Sequence, residues 1–99
     1  MKITLSPADV TTVTAEYKGD SFTFDILNFT IAQQVKYEGI VKECIEESLT
    51  MSDLHKRQFK YAVKNCTLKD AVNILPYNDI RKILNLVEQI NNSVDEKKS

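Results

Sequence analysis

Few side chains in this sequence belong to types that do chemistry, so their spacing can be weighed directly. The single histidine, His55, stands in Ser52-Asp53-Leu54-His55-Lys56-Arg57, and the two cysteines, Cys44 and Cys66, lie 11 residues on either side of it. A Cys/His nucleophilic pair needs the imidazole within hydrogen-bond reach of the thiolate, with a third group orienting it. A structural zinc site needs ligands paired at short spacing. Neither pattern occurs here. His55, beside two cations, is expected to be a solvated surface residue. The cysteines fall where helices carry apolar residues and are expected to pack as small hydrophobes. Paired carboxylates occur at Glu46-Glu47 and Asp95-Glu96. Neither pair lies in an apolar run that would raise a pKa for acid–base work. Glycine-rich phosphate loops, Gly-x-Ser-x-Gly and His-Glu-x-x-His are missing from the sequence. The reading is a non-enzymatic protein with no metal or cofactor.

Charge offers more. Lys56, Lys60 and Lys64 stand at i, i+4 and i+8, with Arg57 and Lys69 nearby. On one helix the three lysines would share a side. Such a strip is either a solvated face or an electropositive surface for an acidic partner. Glutamates of the preceding helix could also sit against it, at about 0–1 kcal/mol per exposed pair. Residues 1–29 and 30–50 each carry −2, residues 51–70 carry +3, and the chain as a whole carries −1. A general nucleic-acid binder needs a positive surplus to release counterions from phosphates, so nucleic acid is the lesser expectation.

These groups must be positioned by a chain of 99 residues, 42% apolar and 27% charged, which is one domain with a thin core. There is no signal-peptide core after Met1 and no run of about 18 apolar residues. A cytoplasmic protein with reduced thiols is expected. Val10 to Tyr17 is rich in β-branched residues, Lys18-Gly19-Asp20 is a turn signal, and Ser21 to Leu27 alternates, with Phe22, Phe24 and Ile26 on one face. That is a β-hairpin. Phe22 and Phe24, with the hairpin edge, are candidate partner-binding residues alongside Lys56, Arg57, Lys60 and Lys64. Lys2 to Leu5 could add a short strand. Leu5-Ser6-Pro7-Ala8-Asp9 resembles the entry of a globin α chain, but only through generic cap chemistry: it admits a helical turn at residues 6–9 and no haem site.

The remainder is helical. Thr30-Ile31-Ala32-Gln33 fits a capping box, and the helix after it is expected to bury Ile31, Val35, Val41, Cys44, Ile45 and Leu49. Thr50-Met51-Ser52-Asp53 opens a second helix that would turn Met51, Leu54, Ala62, Val63 and Cys66 inward, with Phe59 at an edge. Thr67 to Asp70 starts a short third one, stopped by Pro76. Asn78 caps a fourth, with the stripe Ile80, Ile83, Leu84, Val87 and Ile90. The fold class is α+β: an N-terminal antiparallel hairpin or meander followed by a three- to four-helix bundle. Residues 1–92 form one domain, and residues 93–99 a polar, flexible tail.

The order of short motifs from Phe29 onward is distinctive. A hydrophobic strand ends in Phe29-Thr30-Ile31, a helix follows, and a second helix ends in Ala62-Val63-Lys64-Asn65-Cys66-Thr67. Leu75-Pro76-Tyr77-Asn78-Asp79-Ile80 then opens the terminal helix. This order resembles the small baseplate-hub and tail-assembly proteins of contractile-tailed bacteriophages. The resemblance covers about residues 22–92 and implies a non-enzymatic, chaperone-like role in virion assembly. It implies a tail, hub or tape-measure component as the partner, in the host cytoplasm or on the virion. It carries over no catalytic residue. Two competing readings are an inhibitor of a host enzyme or defence complex and a nucleic-acid-binding regulator using the lysine face. The Ile80–Ile90 stripe also admits a homo-oligomer.

Overall fold

The computed structural model describes residues 1–3 and 9–96. The strand proposed at Lys2 to Leu5 and the turn at residues 6–9 fall largely on residues 4–8, outside the described residues. The elements run β1 (Val10–Tyr17), β2 (Asp20–Leu27), α1 (Ile31–Glu46), α2 (Met51–Ala62), β3 (Val63–Lys64), α3 (Ala71–Ile74) and α4 (Tyr77–Glu96). The fold is α+β, with a three-stranded antiparallel sheet and four helices among the described residues.

The hairpin forms for the reasons its sequence suggests. Lys18 and Gly19 both take positive φ, 53° and 83°. That is the two-residue turn whose twist matches the strands it joins. Pairing is unbroken from Tyr17↔Asp20 to Val10↔Leu27, with no bulge. Phe22, Phe24 and Ile26 share one face and are 7%, 1% and 0% exposed. They meet Phe59 and Ala62 of α2, Ala71 of α3, and Ile80, Ile83, Leu84 and Val87 of α4 in one core. Thr12, Thr14 and Glu16 occupy the opposite, open face.

A further strand appears that the sequence reading did not place. It lies late in the chain, where the second helix was read as continuing to Cys66. α2 stops at Ala62, and Val63 turns extended, with φ −107° and ψ 125°. Val63 then pairs with Ile26, and Lys64 with Asp25. Val63 is β-branched and buried there, which favours the strand. Asn65, at φ 53°, bends the chain and donates from Nδ2 to Asp25 Oδ2 at 2.9 Å. The Thr67 amide donates to the Thr23 carbonyl at 2.9 Å. The strand order is therefore β1-β2-β3, with β2 in the centre.

Both capping boxes are present. Thr30 Oγ1 accepts from the Gln33 amide at 3.2 Å, and Gln33 Oε1 accepts from the Thr30 amide at 2.9 Å. Thr50 and Asp53 repeat the arrangement at the head of α2. α4 buries the expected stripe, with Ile90 half-buried. It starts at Tyr77 rather than after Asn78, because the single Pro76 carbonyl accepts from the amides of both Asp79 and Ile80. Its backbone continues to Glu96, into the segment read as a tail.

Two burial expectations are corrected. Phe59, placed at an edge, is 5% exposed in the core, whereas Met51 is 62% exposed. On α1 the expected stripe is buried only at its C-terminal end, at Cys44 and in part at Leu49. The helix buries Tyr37, Ile40 and Cys44, and leaves Ile31, Val35 and Ile45 at 85%, 63% and 71% exposure. The reason lies in what α1 packs against. Ile40 and Cys44 close a small separate cluster with Leu54 of α2, flanked by Leu49 and Tyr61. Tyr37 reaches the main core and stacks obliquely on Phe29 at 5.1 Å. Aromatic side chains bury more area than aliphatic ones, so the Tyr37 side wins the one face available.

Candidate protein-contact surfaces

Four of the six residues expected to meet a partner are redirected by the fold. Phe22 and Phe24 are core residues covered by α2 and α4, so they are withdrawn as contact residues. Arg57 forms a two-pronged ion pair with Glu47 at the end of α1, at 3.0 and 3.1 Å. That pair holds the Glu47 carboxyl below its usual range, chiefly by hydrogen bonding to the guanidinium. Lys64 leaves the helix with β3, and its Nζ donates to the Lys60 carbonyl at 3.1 Å, capping the end of α2. Only Lys56 and Lys60 remain as exposed lysines on α2 itself. The row of three lysines on one helix face therefore does not form. The helix ends before the third.

His55 is not a free surface residue. Its Nδ1 lies 2.6 Å from the Tyr77 hydroxyl, and the two rings are tilted 5.4 Å apart, tying α2 to the start of α4. Partial burial lowers the His55 pKa, and the nearby Arg81 lowers it further. Cys44 lies with Ile40 and Leu54, and Cys66 is half-buried against the main core. His55 and the two thiols thus serve three different packing sites. Among the described residues, no cluster of three His, Cys, Asp or Glu side chains could hold a metal ion. Among the same residues, no helix is long and apolar enough to cross a membrane.

Among the described residues, two surfaces stand out as unpartnered. The first is the outer edge of β1. The Asn28 amide donates to the Asp9 carbonyl at 2.9 Å, and the register is unbroken from there to the turn. Residues 11, 13, 15 and 17 therefore turn their backbone groups toward β2, because hydrogen-bonded pairs alternate along an antiparallel ladder. The amides and carbonyls of Val10, Thr12, Thr14 and Glu16 point outward. Among the described residues no strand pairs with them. The opposite edge of the hairpin is sealed by Val63 to Thr67. Natural edges are usually blunted by proline, lysine or a bulge, and β1 has none of these.

The second surface is the outer face of α1, formed by Ile31, Val35 and Ile45, with Val41 at its border. Sequence periodicity identified these aliphatic residues but assigned them to the core.

No protein-family model, curated protein or solved structure matches this chain.

Proposed function

We propose that this protein is a non-enzymatic assembly factor of a contractile-tailed bacteriophage, acting by protein–protein contact on a tail, hub or tape-measure component. The ordered motifs from Phe29-Thr30-Ile31 to Leu75-Pro76-Tyr77-Asn78-Asp79-Ile80 support the phage assignment. The observation that carries the mode of contact is the edge of β1, unpaired among the described residues, eight residues long and without a bulge. An extended segment of a partner can add there as a fourth strand, held by main-chain hydrogen bonds to Val10, Thr12, Thr14 and Glu16. An assembly factor gains from this mode, because backbone pairing holds a partner segment before its own fold is complete.

The test is co-purification with tail, hub and tape-measure proteins encoded near it, using the wild type and Thr14→Pro. Proline at position 14 removes an outward amide that the fold does not use, so the hairpin survives. Capture of a tail component by the wild type, lost in T14P with an unchanged circular dichroism spectrum, is expected. Failure to capture any tail component, or capture unaffected by T14P, sinks the proposal.

A further inference from the structure

The outer face of α1 has the spacing of a coiled-coil seam. Ile31, Val35, Glu38, Lys42 and Ile45 follow one another at 4, 3, 4 and 3 residues. That repeat keeps side chains in line along a helix facing a partner helix. It runs the length of a 16-residue helix whose other face already packs on α2. The seam is aliphatic at its ends, with Ile31, Val35 and Ile45 largely exposed, and charged in its middle. Glu38 accepts a hydrogen bond from Gln34 of its own helix at 3.2 Å, and Lys42 has no ion pair among the described residues.

We infer that the partner on this face is a second copy of the chain, docked α1 against α1 antiparallel about a two-fold axis level with residue 40. Antiparallel seams place the two kinds of seam position opposite one another. In this register Val35 meets Ile45 of the other copy, and Glu38 meets its Lys42. Each pairing occurs twice by symmetry. A parallel, in-register pair would instead stack Glu38 on Glu38 and Lys42 on Lys42, so the charges select the antiparallel arrangement. This is the isologous, closed contact that most homodimers use.

Gly39 is an independent observation in the same place. It lies one residue from the middle of the seam, and a Cβ built on it would meet nothing within 4 Å. Among the described residues nothing requires a glycine there, yet glycine in a helix interior costs about 1 kcal/mol relative to alanine. A second helix crossing at that level does call for it, since a missing side chain lets two helices approach closely. The inference does not depend on the phage assignment, and its surface is separate from the β1 edge.

The oligomeric state decides it, measured by sedimentation velocity from roughly 1 µM to 1 mM. The expected wild-type species has twice the 11.3 kDa chain mass. Ile45→Glu should be monomeric throughout. Glu38→Lys alone and Lys42→Glu alone each create two like-charge pairs, and should weaken the dimer by about tenfold or more. The double variant E38K/K42E restores opposite charges and should recover wild-type association. All these positions are exposed, and circular dichroism confirms that each variant is folded. A wild type that is monomeric across the range overturns the inference, whether or not the face captures some other protein. A dimer indifferent to I45E overturns it, as does a double variant no better than either single one. A dimer abolished by T14P would place the contact on the β1 edge and equally overturns it.

Discussion

The carboxamide of Asn91 on α4 grips the backbone where β2 ends: its Oδ1 accepts the Phe29 amide at 2.7 Å. Its Nδ2 donates to the carbonyls of Leu27, at 3.1 Å, and Val87, at 2.9 Å. One half-buried side chain thus satisfies three backbone groups on two elements far apart in sequence. Asn91→Ala leaves the Phe29 amide and the Leu27 carbonyl without these partners, and the cost of such unmet groups is about 1–3 kcal/mol. A urea titration should show the free energy of unfolding falling by that amount, as a lower midpoint at unchanged slope.

His55 gives the fold a specific pH dependence. Its folded pKa is lowered from 6.5, first by burial and then by the charge of Arg81, against a smaller opposing effect of Glu88. The folded state therefore binds the proton less readily than the unfolded state. This contribution to stability is complete above the unfolded value and is lost as pH falls through the folded one. Asp25, Glu47 and Asp53 are also lowered, from ordinary carboxylate values of 4.5 or less, so their losses come at more acid pH. As His55 is the only histidine, a decline in thermal midpoint just below pH 6.5 belongs to it. His55→Gln should flatten the decline. An equal slope in that variant contradicts the assignment.

The two glycines should respond in opposite directions. Gly39 lies in a helix interior with open space where a Cβ would go, so Gly39→Ala should raise monomer stability by about 0.5–1 kcal/mol. Gly19 sits at φ 83° in the hairpin turn, and Gly19→Ala should lower stability by about 1 kcal/mol or more. Denaturation at micromolar concentration, where dissociation is favoured, reads both.

Phe24 is 1% exposed at the centre of the sheet's covered face. Phe24→Ala should cost about 3–5 kcal/mol, enough to leave a domain of this size marginal. Loss of partner capture in that variant would report unfolding, and a far-ultraviolet spectrum recorded alongside it would show this.

The hairpin was legible because its signals agree. Lys18-Gly19 supplies the turn, and Phe22, Phe24 and Ile26 supply a strict alternation. The capping residues Thr30 and Thr50 and the α4 stripe were legible for the same reason. α1 was not, because it is apolar on two sides, and periodicity cannot say which side has a neighbour. Tyr37 and Ile40, which join the expected Cys44, win through α2 and Phe29, contacts invisible along the sequence. β3 was missed because two residues make no pattern, and Val63 reads equally well as one more helical turn. The lysine strip dissolved with it, since Lys64 belongs to that strand. The Glu47–Arg57 pair came close to the expected charge match between the first two helices, with an arginine in place of a lysine.

The central position of β2 also orders events during synthesis. The hairpin is complete once Leu27 has emerged, but the segment that seals its far edge, Val63 to Thr67, is made some forty residues later. Until then that edge of the nascent hairpin is open, and the face of Phe22, Phe24 and Ile26 stays incompletely covered until α4 supplies Ile80, Ile83, Leu84 and Val87. Such exposed strands and apolar faces invite aggregation. The hairpin's far edge therefore stays open until Val63 to Thr67 are made, and aggregation during synthesis is a hazard of that interval.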